Sequence, residues 1–167
     1  MVNLAINGIG RIGKLVLKLL LSKNFNVKYL NELNGNTNSL IHSIEFDSIH
    51  GKWQANIEEG KDEIKIDGKS IKTTFVENIK DLRLDDIDIM IDCTGVYKST
   101  AKLQKYFDKG VKKVIVSAPI NEDNIVNIAY GVNHNIYKPK EHKIITGASC
   151  TTNCCLLYTS DAADDTR

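Results

Sequence analysis

Cys150 stands in a short run of small polar residues that is typical of a reactive thiol. Residues 147–154 read Gly-Ala-Ser-Cys-Thr-Thr-Asn-Cys and follow a predicted strand, Lys143–Thr146. Because Ser, Thr and Asn cap helix N-termini, Cys150 is predicted to lie in the first turn of a helix, where backbone dipoles stabilise the nucleophilic thiolate. Cys154 lies one turn further on the same face and is predicted to be a packed, buried thiol. The spacing of the two cysteines is unusual for zinc, so we predict no metal site.

A second group of residues suits the binding of a dinucleotide. Residues 8–13 read Gly-Ile-Gly-Arg-Ile-Gly, after a predicted strand and at the start of a predicted helix. Gly8 permits a tight turn, Gly10 lets the backbone approach a pyrophosphate, and Gly13 lets the helix pack close to the strand. The N–H groups predicted to face the phosphates belong to Arg11 and Ile12. The alternative is a glycine-rich turn that binds no ligand.

An acidic residue, Glu32, follows the next predicted strand about 20 residues after the glycines, where a carboxylate binds the adenosine ribose. Its charge would repel a 2′-phosphate, so NAD is favoured over NADP. Small residues follow two further apolar strands and would leave room for a ligand in the crevice, although ordinary loops have the same composition. These residues are Thr94, Gly95 and Ser117.

The predicted elements alternate between strands and helices, which indicates an α/β fold of the Rossmann type, with a doubly wound, mostly parallel sheet. A hairpin is predicted at Asp67-Gly68. The predicted strands are Val2–Ile6, Val27–Leu30, Ile87–Cys93, Val114–Val116, Ile125–Val132 and Lys143–Thr146. The predicted helices are Gly10–Leu21, Ser39–Phe46 and Ser99–Lys109.

Composition narrows the class of protein. The 167 residues are 42% hydrophobic and 26% charged, which is typical of one globular domain. With 22 basic and 21 acidic residues, the net charge of +1 argues against a nucleic-acid or membrane-surface partner. No apolar run approaches the ~20 residues that span a bilayer. Three of the four cysteines fall within six positions, which favours free thiols and a cytoplasmic location over a disulfide framework.

The sequence resembles the N-terminal half of phosphorylating glyceraldehyde-3-phosphate dehydrogenase. The resemblance runs from Asn3 to Cys154 and is strongest in the block Ala148–Cys154, which erythrose-4-phosphate dehydrogenase shares. The other motifs that carry it are Asn7–Gly13, Phe46–Gly51, Thr94–Val96, Ser117–Pro119 and Tyr130–Asn133.

The resemblance implies a role for each matching residue. Cys150 would be the nucleophile, and Ser149 and Thr151 would help to hold the substrate or inorganic phosphate. The reaction would convert glyceraldehyde 3-phosphate, NAD and phosphate to 1,3-bisphosphoglycerate and NADH through a cysteine thioester, in a homotetramer. The implied cofactor-binding residues are Asn7, Gly8, Gly10, Arg11, Ile12, Gly13, Glu32, Thr94, Gly95 and Ser117.

The sequence departs from the family in several places. Glu32 replaces the usual Asp, and Glu77-Asn78 replaces an Arg that often lies near the adenine. All histidines precede Cys150, so the family's catalytic base is absent. We therefore predict three segments: an NAD(P)-binding domain at 1–148, the start of a truncated catalytic domain at 149–154, and a non-native tail at 155–167, which resembles a translated transposase sequencing-library adapter. Two alternative functions remain, a catalytically inactive NAD-binding module and a fragment of erythrose-4-phosphate dehydrogenase.

Overall fold

The computed structural model describes residues 1–164. Within them the α-helices are α1 (Arg11–Ser22), α2 (Thr37–Glu45), α3 (Thr100–Phe107) and α4 (Cys150–Asp164). The strands are β1 (Asn3–Asn7), β2 (Asn26–Asn31), β3 (Phe46–Asp47), β4 (Gly51–Lys52), β5 (Ile57–Gly60), β6 (Glu63–Ile66), β7 (Lys69–Thr74), β8 (Ile89–Asp92), β9 (Lys113–Val116), β10 (Val126–Asn127) and β11 (Ile144–Thr146). Of the predicted tail, 155–164 continue α4, and 165–167 lie outside the described residues.

One sheet of nine strands organises the described residues, in the order β10-β11-β9-β8-β1-β2-β7-β6-β5. Every pairing from β10 to β7 is parallel, and β7, β6 and β5 pair antiparallel at one edge. The chain builds outward from β1 to β2 in one direction and from β8 to β9 in the other. The strand order therefore reverses between β1 and β8, which is the crevice where such sheets bind ligands. The predicted fold class is confirmed.

Apolar side chains cover both faces of this sheet. Ala5 and Ile6 are adjacent on β1 and both fully buried, yet they belong to different apolar clusters because strand side chains alternate between faces. The Ala5 cluster includes Leu103 from α3, and the Ile6 cluster includes Leu17 from α1 and Ile44 from α2. Helices on both faces of a mostly parallel sheet are the mark of a doubly wound fold.

The predicted hairpin at Asp67-Gly68 is confirmed and joins β6 to β7. Asp67 has a φ of 48° and Gly68 a φ of 78°, as a two-residue turn of type I′ requires at both positions.

The predicted strand Ile125–Val132 is wrong over most of its length, since only Val126–Asn127 pair in the sheet. The side chain of Asn133 accepts a hydrogen bond from Ala129 N at 2.8 Å, and Asn133 N donates back to Ala129 O at 3.1 Å. This side chain therefore closes a turn where the apolar pattern alone favours a strand.

Candidate functional site

The glycine-rich turn, residues 8–13, lies where the strand order reverses, between β1 and β8. The side of the turn that faces the protein is tightly packed. Gly8 has a φ of 87°, and a Cβ placed there would lie 2.9 Å from the backbone of Cys93 and Thr94. A Cβ on Gly13 would lie 1.9 Å from Gly8 O, so α1 packs directly against the turn. At both positions a side chain would clash with other atoms of the protein, so glycine is required whether or not a ligand is bound.

Gly10 differs from its two neighbouring glycines because a Cβ there would meet nothing within 4 Å. It is the N-cap of α1, without a side-chain cap, and the first turn of the helix carries no acidic residue. The N–H groups of the first helical turn have no intrahelical partner, and the dipole favours an anion beside them. Arg11 and Ile12 are exposed at this end. The open space and these donors fit the pyrophosphate of a dinucleotide.

Glu32 follows β2 and reaches the glycine-rich turn. Its Oε2 accepts a hydrogen bond from Ile9 N at 2.6 Å, and its Oε1 accepts one from Leu33 N at 2.9 Å. The carboxylate is partly exposed and retains lone pairs for further donors. Its position at the end of β2 suits a ribose beside the turn.

Thr94 and Gly95 form the opposite wall of the crevice, after β8. Thr94 N and Thr94 Oγ1 both donate to Asp92 Oδ1, at 3.1 and 2.8 Å, and Thr94 Oγ1 accepts from Val96 N at 3.1 Å. Gly95 has a φ of 71° and faces open space. The buried Asp92 side chain thus fixes the Thr94 turn from the protein interior, and the opposite side of the turn is open.

Ser117 follows β9, the next strand, and its N–H donates to Asp92 O at 2.9 Å. The Ser117 side chain partly offsets the effect of burial on the pKa of the Cys93 thiol. Burial nevertheless raises the pKa of the Cys93 thiol to about 11, because the thiolate would be poorly solvated there. Cys93 therefore remains a neutral thiol at ordinary pH.

Asn7, a predicted cofactor-binding residue, is only 3% exposed and turns its side chain into the protein. Its Nδ2 donates to Tyr106 Oη at 2.6 Å, and its Oδ1 accepts from Asn31 Nδ2 at 2.8 Å. The structure therefore does not bring the Asn7 side chain to the crevice surface. Sequence analysis missed its partners Tyr106 and Asn31, and the one available signal is a polar residue at the end of each apolar strand.

Cys150 is the first residue of α4, as its predicted place in the first turn of a helix requires, and it is exposed. Ser149 Oγ accepts a hydrogen bond from Thr152 N at 2.9 Å, so Ser149 caps the helix. Ala148 has a φ of 55°, which turns the chain sharply between β11 and α4. Thr151 lies beside the thiol, with its Oγ1 at 3.9 Å from Cys150 Sγ.

Cys154 is exposed, so the prediction of a packed, buried thiol is wrong. The reason is that α4 presents little of its surface to the sheet: Leu157 and Tyr158, further along the helix, are 46% and 76% exposed. Cys93, Cys150, Cys154 and Cys155 are all free thiols.

Cys150 and the glycine-rich turn lie along the same edge of the sheet. Cys150 follows β11, and Gly8 follows β1, three strands away in the order β11-β9-β8-β1. At a strand spacing of about 4.8 Å, the two turns are about 14 Å apart. A ligand as long as a dinucleotide can therefore extend from one towards the other.

No histidine within residues 1–164 hydrogen-bonds to Cys150. His50 Nδ1 lies 3.1 Å from Asp47, His134 Nδ1 accepts from Gly131 N, and His142 Nδ1 accepts from Lys138 N.

The same part of the chain, residues 1–164, holds no cluster of three His, Cys, Asp or Glu side chains arranged for a metal. None of its helices combines the length and apolar character that crossing a bilayer needs.

A cavity of about 1040 Å³ lies elsewhere, beside the start of β1. Lys28, Lys72 and Arg83 line it together with several acidic side chains, and none of the predicted site residues does. The glycine-rich turn is instead a shallow, open edge, as a site for an extended ligand can be.

Comparison with known proteins shows which family this chain is similar to. The family model described as glyceraldehyde 3-phosphate dehydrogenase, NAD binding domain, matches residues 2–100. Glyceraldehyde-3-phosphate dehydrogenase 3 of Nostoc sp. is 36% identical over 156 residues, and glyceraldehyde-3-phosphate dehydrogenase 1 of Saccharomyces cerevisiae is 38% identical over 157. Each alignment covers 92% of this chain and 46% of the relative. The chain thus spans about half the length of the curated relatives it matches.

Proposed function

Since this chain belongs to the glyceraldehyde-3-phosphate dehydrogenase family and contains its NAD-binding domain, we propose that NAD lies along the carboxyl edge of the sheet. The N–H groups of Arg11 and Ile12 hold the pyrophosphate, and the open space at Gly10 admits it. Glu32 accepts hydrogen bonds from the adenosine ribose. The observation that carries this placement is the contrast at the turn, where Gly8 and Gly13 are packed and Gly10 faces open space.

The remaining site residues take up positions on the other side of the crevice. Thr94 and Gly95 line it beside β8, and Ser117 lies towards the nicotinamide, closer to β11 and Cys150. This order follows the order of the strands, β1-β8-β9-β11. The dinucleotide therefore runs from Glu32 at its adenosine end towards Cys150 at its reactive end.

Cys150 is the nucleophile of the complete enzyme's reaction. Its thiolate attacks the aldehyde carbon of glyceraldehyde 3-phosphate and forms the oxyanion of a thiohemiacetal. Bound NAD supplies the acceptor for the hydride that this carbon loses, which leaves a thioester on Cys150. Inorganic phosphate then attacks the thioester, releasing 1,3-bisphosphoglycerate and the thiolate. Ser149 and Thr151 flank the thiol and hold the phosphate groups through their hydroxyls.

A second function, NAD binding without turnover, is favoured for residues 1–164 taken alone. In this part of the chain the thiol's one hydrogen-bonding neighbour is Thr151 Oγ1, at 3.9 Å, which is not a base. General acid–base catalysis contributes a factor of about 10²–10⁴ in rate, so this part of the chain lacks that contribution.

The partners of the complete protein are glyceraldehyde 3-phosphate and inorganic phosphate, and its assembly is the family's homotetramer. Its location is the cytoplasm, where free thiols persist.

A chimera tests the catalytic proposal. Residues 1–154 would be fused to the C-terminal half of glyceraldehyde-3-phosphate dehydrogenase 2 of Bacillus subtilis, which is 38% identical over the aligned region. NADH absorbance should rise only with glyceraldehyde 3-phosphate and phosphate both present. Cys150→Ser should abolish this rise and leave NAD bound, whereas the control Cys154→Ser should retain it. Normal turnover in Cys150→Ser would show that the nucleophile is misassigned.

A further inference from the structure

A row of polar side chains lies beneath the candidate cofactor crevice, at the last position of neighbouring strands. Asn31 on β2, Asn7 on β1 and Asp92 on β8 are paired in register across the sheet. All three are buried, at 3%, 3% and 0% exposed. Because they share the sheet face on which α3 packs, the hydroxyl of Tyr106 from α3 reaches the row.

The hydrogen bonds of this row all run in one direction. Asn31 Nδ2 donates to Asn7 Oδ1 at 2.8 Å, and Asn7 Nδ2 donates to Tyr106 Oη at 2.6 Å. Tyr106 Oη donates in turn to Asp92 Oδ2 at 2.7 Å. Each donor therefore points along the row towards the Asp92 carboxylate. Hydrogen bonds linked in this way polarise one another.

Asp92 connects this buried chain to the crevice. Its Oδ1 accepts from both the N–H and the hydroxyl of Thr94, and its backbone oxygen accepts from Ser117 N. Burial raises the pKa of the Asp92 carboxyl above its ordinary value, while the hydrogen bonds from Tyr106 and Thr94 oppose that rise. Three donors on one buried carboxylate leave its side chain little freedom to rotate.

We propose that Tyr106 and Asp92 are positioning residues for NAD: through one chain of buried hydrogen bonds they hold the Thr94 turn in place against the glycine-rich turn. The other end of the row supports the second turn, since Asn31 O accepts from Gly8 N at 2.8 Å. Neither Tyr106 nor Asp92 contacts the open side of the crevice. The effect on NAD rests on the proposed function, whereas the fixed position of Thr94 is a property of the protein alone.

The test compares two buried tyrosines that differ in what their hydroxyls hold. Tyr106→Phe removes the donor to Asp92 and leaves Asn7 Nδ2 without its acceptor. Tyr29→Phe is the matched control, because Tyr29 is 2% exposed and its hydroxyl contacts Thr74 and Arg83 N. Thr74 Oγ1 donates to Asn31 at the far end of the row, so this variant leaves the bonds from Asn7 through Tyr106 to Asp92 intact. Both variants lose stability, since each removes hydrogen bonds made by a buried hydroxyl.

Two measurements separate positioning from general destabilisation. For Tyr106→Phe we expect the NAD Kd to rise about fivefold, because the crevice is less preorganised. We also expect the amides of Thr94 and Val96 to exchange with solvent about tenfold faster without cofactor. Tyr29→Phe should change neither value. Equal effects of the two variants, or unchanged values in Tyr106→Phe, would overturn the proposal.

Amide exchange also distinguishes failure of this inference from failure of the proposed function. If the wild-type chain does not bind NAD, the function is wrong, and exchange at Thr94 still tests the hydrogen-bond chain. If Tyr106→Phe does not fold, amide exchange in the wild-type chain tests the proposal instead. Its half-buried Thr94 amide should exchange as slowly as that of Ile91 inside β8, and exchange as fast as in an exposed loop would overturn the proposal.

Discussion

Glu32 Oε2 accepts a hydrogen bond from Ile9 N at 2.6 Å, which ties the end of β2 to the glycine-rich turn. This contact places a carboxylate beside the open edge of the turn at Gly10. One side chain can therefore both hold the turn and face the ribose of a dinucleotide there.

Glu32→Ala should weaken NAD more than NADP. The variant loses the acceptor for the ribose hydroxyls, which weakens NAD. It also loses the charge that repels the 2′-phosphate of NADP, which offsets part of the loss for NADP. We expect the NAD Kd to rise about tenfold, or about 1.4 kcal/mol, in a calorimetric titration. Glu58→Ala, at an exposed position on β5, should bind like wild type. An equal loss for both dinucleotides would contradict the ribose assignment.

Gly13→Ala and Gly10→Ala should have opposite consequences for folding and binding. The Cβ at position 13 would lie 1.9 Å from Gly8 O, so we expect Gly13→Ala to cost about 3 kcal/mol of unfolding free energy. Gly10→Ala should stay within about 1 kcal/mol of wild type, because a Cβ there meets no protein atom, and yet bind NAD at least tenfold more weakly. Urea unfolding and NAD titration of both variants measure this. Normal NAD binding by Gly10→Ala would contradict the placement of the pyrophosphate.

Asp47→Asn should make the protein less sensitive to acid. Lys14 Nζ lies 2.6 Å from Asp47 Oδ2 and, with the N–H groups of His50 and Ile49, holds the pKa of Asp47 well below its ordinary value. Because the folded pKa lies below the unfolded one, the ionised group stabilises the fold above about pH 4 and loses this effect as the pH falls further.

The melting temperature at pH 7 and at pH 3 measures the effect. Wild type should lose more of its melting temperature between the two pH values than Asp47→Asn does. Asp85→Asn, at an exposed position, should behave like wild type. Identical acid sensitivity of wild type and Asp47→Asn would show that this ion pair does not contribute.

Iodoacetamide should modify Cys150 well before Cys93. Burial raises the pKa of the Cys93 thiol to about 11, so at pH 8 only about one molecule in a thousand carries the reactive thiolate there. Cys150 is exposed at a helix N-terminus, and we expect it to react about 100-fold faster. Peptide mass spectrometry over time gives both rates, and equal rates would refute the described environment of Cys93.

Local signals in the sequence were sufficient where neighbouring residues determine the structure. Gly13 packs against Gly8 within one turn, and Asp67-Gly68 closes its hairpin with its own backbone angles. The start of α4 at Cys150 likewise follows from the capping residue beside it, Ser149.

Long-range contacts explain what the sequence did not reveal. Asn7 and Tyr106 are 99 residues apart, and only the docking of α3 on the sheet brings them within 2.6 Å. Cys154 is exposed because its helix turns away from the sheet, which the spacing of apolar residues does not encode. Residues 125–132 carry a strand pattern, but one side chain, Asn133, turns the chain at Ala129.

The most direct test of the central claim is a calorimetric titration of this 167-residue chain with NAD. We predict saturable binding at one site, weaker binding of NADP, and loss of the NAD signal in Gly10→Ala with its fold intact. A wild-type chain that is folded by circular dichroism and yet shows no NAD binding would contradict the proposed function, as would a Gly10→Ala variant that binds NAD like wild type.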